Sequence, residues 1–162
     1  MEHGQVDLVL HIDDGLLPSH FQLERLYRED WICAVAHDSR FGDRLSLKQY
    51  LAASHIIVAT YAGVQTIPDK QLAAVGAKRT SYIRLPYFDV ALQSLPGTEL
   101  VLTVTSSMSS VIRGNRELRV VKAPIELHAF HFLMAWHPRL NSDPRHVWLR
   151  EAMRSTTDSV SK

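Results

Sequence analysis

The stretch Leu45–Pro86, "LSLKQYLAASHIIVATYAGVQTIPDKQLAAVGAKRTSYIRLP", decides the fold. "SLKQYLAAS" opens on Ser46 and carries Gln49 three places later. That is the capping-box spacing, in which side chains satisfy the orphan N–H groups of a first helical turn. Leu47, Tyr50 and Leu51 then share one helical face. "HIIVAT" follows, apolar and β-branched, as a strand covered on both faces of a parallel sheet is. "TIPDKQLAAVG" reads as a second helix: Thr66 caps it, Pro68 suits only the first turn, and Gly76 stops it. "RTSYIRLP" is a further strand, closed by Pro86.

The same rhythm continues outward. "YFDVALQSL" is a short helix halted at Pro96-Gly97, and "ELVLTVT" is a strand. "SSMSSVIRG" is expected to be a helix capped by Ser106 or Ser107 and stopped at Gly114. "ELRVVKAP" and "HAFHFLMAW" read as strands. A last helix should start at Asp143-Pro144 and bury Trp148, Leu149, Ala152 and Met153, with a frayed tail "STTDSVSK". On the other side, "QVDLVLHI" (Gln5–Ile12) is a short buried strand, and a turn follows at Asp13-Asp14-Gly15. "FQLERLYRED" with "WICAVA" makes a strand pair or one long bent strand. Alternating strands and helices predict an α/β fold of parallel βαβ units with right-handed crossovers and helices on both sheet faces.

Composition narrows the function classes. The chain has 162 residues, 46% of them hydrophobic and 22% charged, as a globular protein does. A net charge of +1 makes no electrostatic case for this chain gripping a phosphate backbone by itself. Cys33 is the only cysteine, which rules out an internal disulfide and a cysteine-based zinc site; in its apolar run it reads as a buried, inert thiol. The N-terminal residues show no signal-peptide pattern, and no apolar stretch approaches a membrane span, so a reducing, cytoplasmic setting is expected.

Enzyme signatures do not surface. The nucleotide-binding glycine patterns, the G-x-S-x-G elbow and H-E-x-x-H are all absent from the sequence. Ser106, Ser107, Ser109 and Ser110 form a run without a nearby base, and capping explains the first two. On a strand His128 would point opposite to His131 and His137, so the three make no metal site. The expectation is no enzyme, no metal and no cofactor. Chemistry is instead expected at strand ends, where open α/β sheets take their ligands. "ATYAGVQT" (Ala59–Thr66) and "TVTSSMSS" (Thr103–Ser110) combine hydroxyls with helix starts suited to an anionic group. "LPYF" (Leu85–Phe88) adds aromatic surface.

The order and spacing of these pieces resemble a known family. "GQVDLVLH", "LPSHFQLERLYREDWICAVAHDSRF", "LSLKQYLAASHIIVA", "LAAVGAKRTSYIRLPYF", "LPGTELVLTV" and "WHPRLNSDPRHVWLRE" together look like the effector-binding domain of a LysR-type transcriptional regulator. The last piece resembles the branch of nodulation and aromatic-catabolism regulators, and the likeness runs from Gly4 to about Met153. It implies a fold like type 2 periplasmic binding proteins, with two Rossmann-like lobes and a small aromatic or carboxylate-bearing effector between them. Lobe one would comprise residues 1–40 and 128–162 and lobe two residues 41–127, with crossovers near Ala36–Phe41 and Pro124–His128. By the same likeness and the strand-end reading, Thr60, Gly63 and Thr66 would form a helix-start cradle. Tyr87 and Phe88 would form an aromatic wall, and His137 and Arg139 would lie at the return into lobe one. The family's winged helix-turn-helix and the opening strand and helix of lobe one have no counterpart in the sequence, so lobe one is expected to be incomplete. Contact with DNA is expected only through that absent module, and a homo-oligomer through the effector domain. The alternatives are a stand-alone solute-binding protein and a truncated dimerisation module.

Overall fold

The computed structural model describes residues 6–13, 15, 17–59 and 65–158. In chain order the strands are β1 (Leu8–Ile12), β2 (Gln22–Glu29) and β3 (Trp31–Ala36). Helix α1 (Leu47–Ala52), β4 (Ser54–Val58), α2 (Ile67–Ala74), β5 (Thr80–Leu85), α3 (Phe88–Gln93) and β6 (Leu100–Thr105) follow. A 3-10 turn (Ser106–Met108) leads to α4 (Ser109–Gly114), β7 (Leu118–Lys122) and β8 (Phe130–Trp136). A second 3-10 turn (Pro138–Leu140) precedes α5 (Pro144–Asp158).

Two compact units result: Met1–Glu29 with Ala129–Lys162 (unit 1), and Asp30–His128 (unit 2). The first division falls at Glu29–Asp30 rather than at residues 40–41 or near Ala36–Phe41, and the return falls between His128 and Ala129. The physical reason lies in β3. "WICAVA" pairs with β6 and β7, so it belongs to the five-stranded sheet, while β2, one residue earlier, pairs with β8 in the other.

Unit 2 carries the five-stranded sheet in the order β5-β4-β6-β3-β7. The strands β5, β4 and β6 are mutually parallel, as the βαβ rhythm predicts. β3 runs antiparallel to both its neighbours, so the sheet is mixed and not purely parallel. Two apolar clusters pack its two faces. One joins Cys33, Val35, Val101 and Val121 to Tyr50 of α1 and Leu72 of α2. The other joins Ala34, Ile56, Leu102 and Val104 to Ala91 and Leu92 of α3 and Ile112 of α4. The expected capping box of Ser46 with Gln49 forms on α1, and Thr66, expected only as a cap, makes a second box with Asp69 on α2. Gly76 takes a φ of +69° just past α2, the left-handed conformation a glycine adopts without a Cβ penalty.

Unit 1 is a three-stranded antiparallel sheet, β1-β8-β2, with α5 against it. Asp143 caps α5, its carboxylate accepting from the N–H groups of Arg145 and His146. The buried face of α5 differs from the one expected. His146, Arg150 and Thr157 are buried, Leu149, Ala152 and Met153 are half-buried, and Trp148 is 68% exposed. The reason is Trp136 on β8, over whose ring the Arg150 guanidinium stacks at 4.7 Å. Its indole N–H donates to Asn141 at 2.7 Å. The helix also runs on through Ser155 to Asp158, where fraying is expected, with Thr156 and Thr157 bonding back to the carbonyls of Ala152 and Met153.

Candidate functional site

In unit 2 the parallel strands β5, β4 and β6 are neighbours, so their carboxyl ends share one edge of the sheet. Val58 stands opposite Leu85, and the Ala59 N–H donates to the Leu85 carbonyl at 3.0 Å. Past this edge the chain enters α2 at Thr66, α3 at Tyr87 and the 3-10 turn at Thr105. Adjacent strand ends followed by helix starts are where open α/β sheets take polar and anionic ligands.

The residues expected to bind fall out as follows. Thr60 and Gly63 lie outside the described residues. Thr66 is the N-cap of α2, and its donors are already engaged. Its hydroxyl donates to Asp69 Oδ2 at 2.7 Å and accepts from Arg79 Nη2 at 2.9 Å, and its own N–H donates to the same carboxylate at 3.1 Å. Thr66 therefore sets where the helix begins rather than offering a spare hydroxyl proton. Tyr87 and Phe88 are 65% and 44% exposed at the α3 start, and the Tyr87 side chain makes no cap bond. In unit 1, His137 caps the second 3-10 turn, its Nδ1 accepting from the Arg139 N–H at 3.2 Å. Its ring lies edge-on to His20 and Phe21 at 6.2 and 6.0 Å, and those two rings lie 4.3 Å apart. His20 and Phe21 escape a reading of the sequence, because only the pairing of Gln22 with Trp136 brings the two strand ends together.

The feature least visible in the sequence is Arg79. In "GAKRTS" it reads as one of two surface cations before a strand, yet only 6% of it is exposed. Nε donates to Asp69 Oδ1 at 2.7 Å, Nη1 to Tyr50 Oη at 2.9 Å and to Thr103 Oγ1 at 3.2 Å, and Nη2 to Thr66. Tyr50 and Thr103 share a further bond of 2.6 Å. Burial raises the Asp69 carboxyl, but the bonds and charge of Arg79 and the bonds from Thr66 outweigh it, and the net pKa is lowered. Burial pushes the Tyr50 phenol up to about 12, so it stays a neutral partner. The only local hint of this cluster is Asp69 at the third helical position after Thr66.

Other expectations resolve differently. Ser106 and Ser107 give no side-chain cap to the turn that Thr105 opens. The Ser106 hydroxyl instead accepts from the Asp30 N–H at 3.3 Å, and Ser107 bonds Thr105 at 3.0 Å. His128 precedes β8 and His137 follows it, so strand alternation applies to His131 alone. Among the described residues no group of three or more His, Cys, Asp or Glu could hold a metal ion. The Cys33 thiol is buried, and burial pushes its pKa up to about 12, beyond the range of a ready nucleophile. A cavity of about 800 Å³, bordered by Gln65, Asp69, Leu72, Arg79, Thr80 and Arg84, opens between α2 and β5; Asp69 and Arg79 of the buried network line it, and Thr66, Tyr87 and Phe88 do not. No helix among the described residues is long and apolar enough to cross a membrane.

Comparison with known proteins gives a consistent picture. The family described as the LysR substrate binding domain matches residues 1–158. The chain is 28% identical over 155 residues to the HTH-type transcriptional regulator LinR of Sphingobium indicum, covering 94% of this chain and 51% of LinR. It is 30% identical over 153 residues to the HTH-type transcriptional activator NagR of Ralstonia sp, covering 93% of this chain and 50% of NagR. The regulatory domain of MexT, a transcriptional activator in Pseudomonas aeruginosa, superposes with a TM-score of 0.79 at 25% identity, over 96% of this chain and 74% of that one. The chain thus spans about half the length of the curated relatives it matches, and these are transcriptional regulators, not enzymes.

Proposed function

The chain belongs to the LysR substrate-binding-domain family, and from that premise we propose that it senses a small aromatic or carboxylate-bearing effector for a cytoplasmic transcriptional regulator. The observation that carries this reading is the shared edge of β5, β4 and β6, with the α2 start at Thr66 and exposed Tyr87 and Phe88 beyond it. Helix starts favour a carboxylate, and exposed aromatic rings favour a flat apolar body. Thr60 and Gly63 belong to the proposed cradle, and His137 and Arg139 are further candidate effector contacts. Units 1 and 2 correspond in this reading to the family's two lobes.

The effector acts by differential affinity. A ligand that binds one state of the domain more tightly shifts the population toward it, and the regulator's grip on DNA follows. Operator contact belongs to a helix-turn-helix outside this chain, and the working protein is a homo-oligomer.

Calorimetric titration of the chain with salicylate, and with benzoate as the simpler acid, tests the reading. Saturable binding is expected, weakened roughly tenfold by Tyr87→Ala, the loss of one aromatic contact. Cyclohexanol, which matches the ring's bulk without charge or aromaticity, should bind far less. Equal uptake of all three, or no effect of Tyr87→Ala on a measurable affinity, would sink the assignment.

A further inference from the structure

We propose that Arg79 is the positioning residue of this ligand edge, tying the start of α2 to β6 and so setting the surface a ligand meets. The inference rests on the functional reading above. Its starting point is a juxtaposition: Arg79 holds Thr66, at the end of one strand-end segment, and Thr103, two residues before the end of the strand that leads into the other. Tyr50 adds α1 to the same cluster. Three elements, α1, α2 and β6, therefore meet at one guanidinium just before β5, and each of its three nitrogens has a partner.

The hold of α2 on the sheet is otherwise thin. The helix has eight residues, and only Pro68 and Leu72 are buried. Helices this short are marginal by themselves, so their placement comes from tertiary contacts. The sheet beneath does not share that weakness, because two apolar clusters cover its faces. Loosening Arg79 should accordingly release the α2 start while leaving β4 and β6 in place. The fork geometry matters as much as the charge. A guanidinium reaches the Asp69 carboxylate and three hydroxyls at once, which an ammonium on a flexible stem does not. Thr66 spends its hydroxyl proton on Asp69 and so presents a lone pair to Arg79, which fixes the direction of each bond. In this reading Arg79 acts through Thr66 and the helix that Thr66 opens.

Arg79→Lys, which keeps the charge opposite Asp69, and Arg79→Met, which removes it, separate this role from simple stability. Amide exchange is followed along α2 and along β4 and β6, and salicylate serves as the calorimetric probe. In Arg79→Lys, α2 amides should exchange about tenfold faster while β4 and β6 amides hold their rates, and salicylate should bind roughly fivefold more weakly. Tyr50→Phe, which removes one of the partners, should move both readouts in the same direction by less. Uniform acceleration across α2, β4 and β6 would overturn the proposal, as would unchanged exchange in α2 or unchanged salicylate affinity beside a loosened α2. Should the unsubstituted chain take up no salicylate, the effector reading fails separately, and the exchange pattern alone decides for or against Arg79. Arg79→Met adds a larger effect of the same kind where it folds, and Arg79→Lys carries the test where it does not.

Discussion

Among the described residues, every buried apolar side chain of unit 1 lies on the single strand β8, from Phe130 to Trp136. Unit 2 spreads its own over several strands and over helices on both faces of its sheet. The same kind of element is thus stabilised in two ways. Unit 2 rests on two apolar clusters, a non-directional resource that tolerates the loss of one polar contact. Unit 1 has one layer of helix against three strands. There the Trp136 ring meets Arg150, whose guanidinium also donates to the carbonyls of Leu140 and Asn141 and to His146 Nδ1. His146 in turn donates from Nε2 to the Asp7 carbonyl at 3.0 Å, drawing the approach to β1 into the cluster. Leu10 and Leu23 remain 47% exposed on the outer strands. A unit with few buried apolar groups makes each directional contact count for more.

The largest expected effect lies in unit 2. Leu102 is fully buried between strands and helices, and Leu102→Ala should cost about 4 kcal/mol through lost burial and the cavity left behind. Chemical denaturation monitored by tryptophan fluorescence measures it. A loss below 1 kcal/mol would mean that the cluster collapses around the gap and is less fixed than its burial indicates.

The next effect is one of pH and also belongs to unit 2. His55 is fully buried beside the Tyr50 ring, and its Nε2–H donates to the Tyr50 carbonyl at 2.7 Å. Burial lowers its pKa to about 4, while the unfolded imidazole keeps its ordinary value near 6.5. Between those two values the unfolded chain binds a proton that the folded chain does not. Stability is therefore intact above pH 6.5 and is lost as the pH falls toward 4, by about 3 kcal/mol over the window. His55→Gln should flatten that limb of a denaturant-midpoint profile; an unchanged acid limb would place the titration elsewhere.

The smallest of the three tests unit 1. Arg150→Ala removes the cation over Trp136 and the donors to two carbonyls, at a cost of about 2 kcal/mol. Amide exchange in β1, β2 and β8 should quicken selectively, while β4 and β6 keep their rates. Equal quickening in both sheets would remove the contrast between the units.

How much of this was legible differs by region. Ser46-x-x-Gln49, Thr66, Gly76 and Asp143-Pro144 announce helix ends because capping is settled within four residues. The double-sided apolar run of β4 announces a central strand, and Ile56 and Ile57 are indeed buried. The partner of "WICAVA" could not be read. An apolar run fits a parallel or an antiparallel slot equally, and only pairing with β6 and β7 made it antiparallel and moved the boundary between units to Glu29. At the candidate site, Thr66 as a cap and Tyr87 and Phe88 as exposed aromatics were readable from their places after strands. The engagement of the Thr66 hydroxyl was not, because its partner Arg79 comes from thirteen residues away.

The sequence by itself determined the capped starts of α1, α2 and α5, that β4 is a central strand, that Cys33 is inert, and to which family the chain belongs. All of these rest on local spacing or on ordered short motifs. Tertiary structure alone decided which strand joins which sheet, that α5 buries His146 and Arg150 and exposes Trp148, and that Arg79 lies at the centre of a buried network. Each of those depends on a partner distant in the chain. A charged or aromatic side chain is buried or exposed according to whether such a partner exists, and no local pattern encodes that.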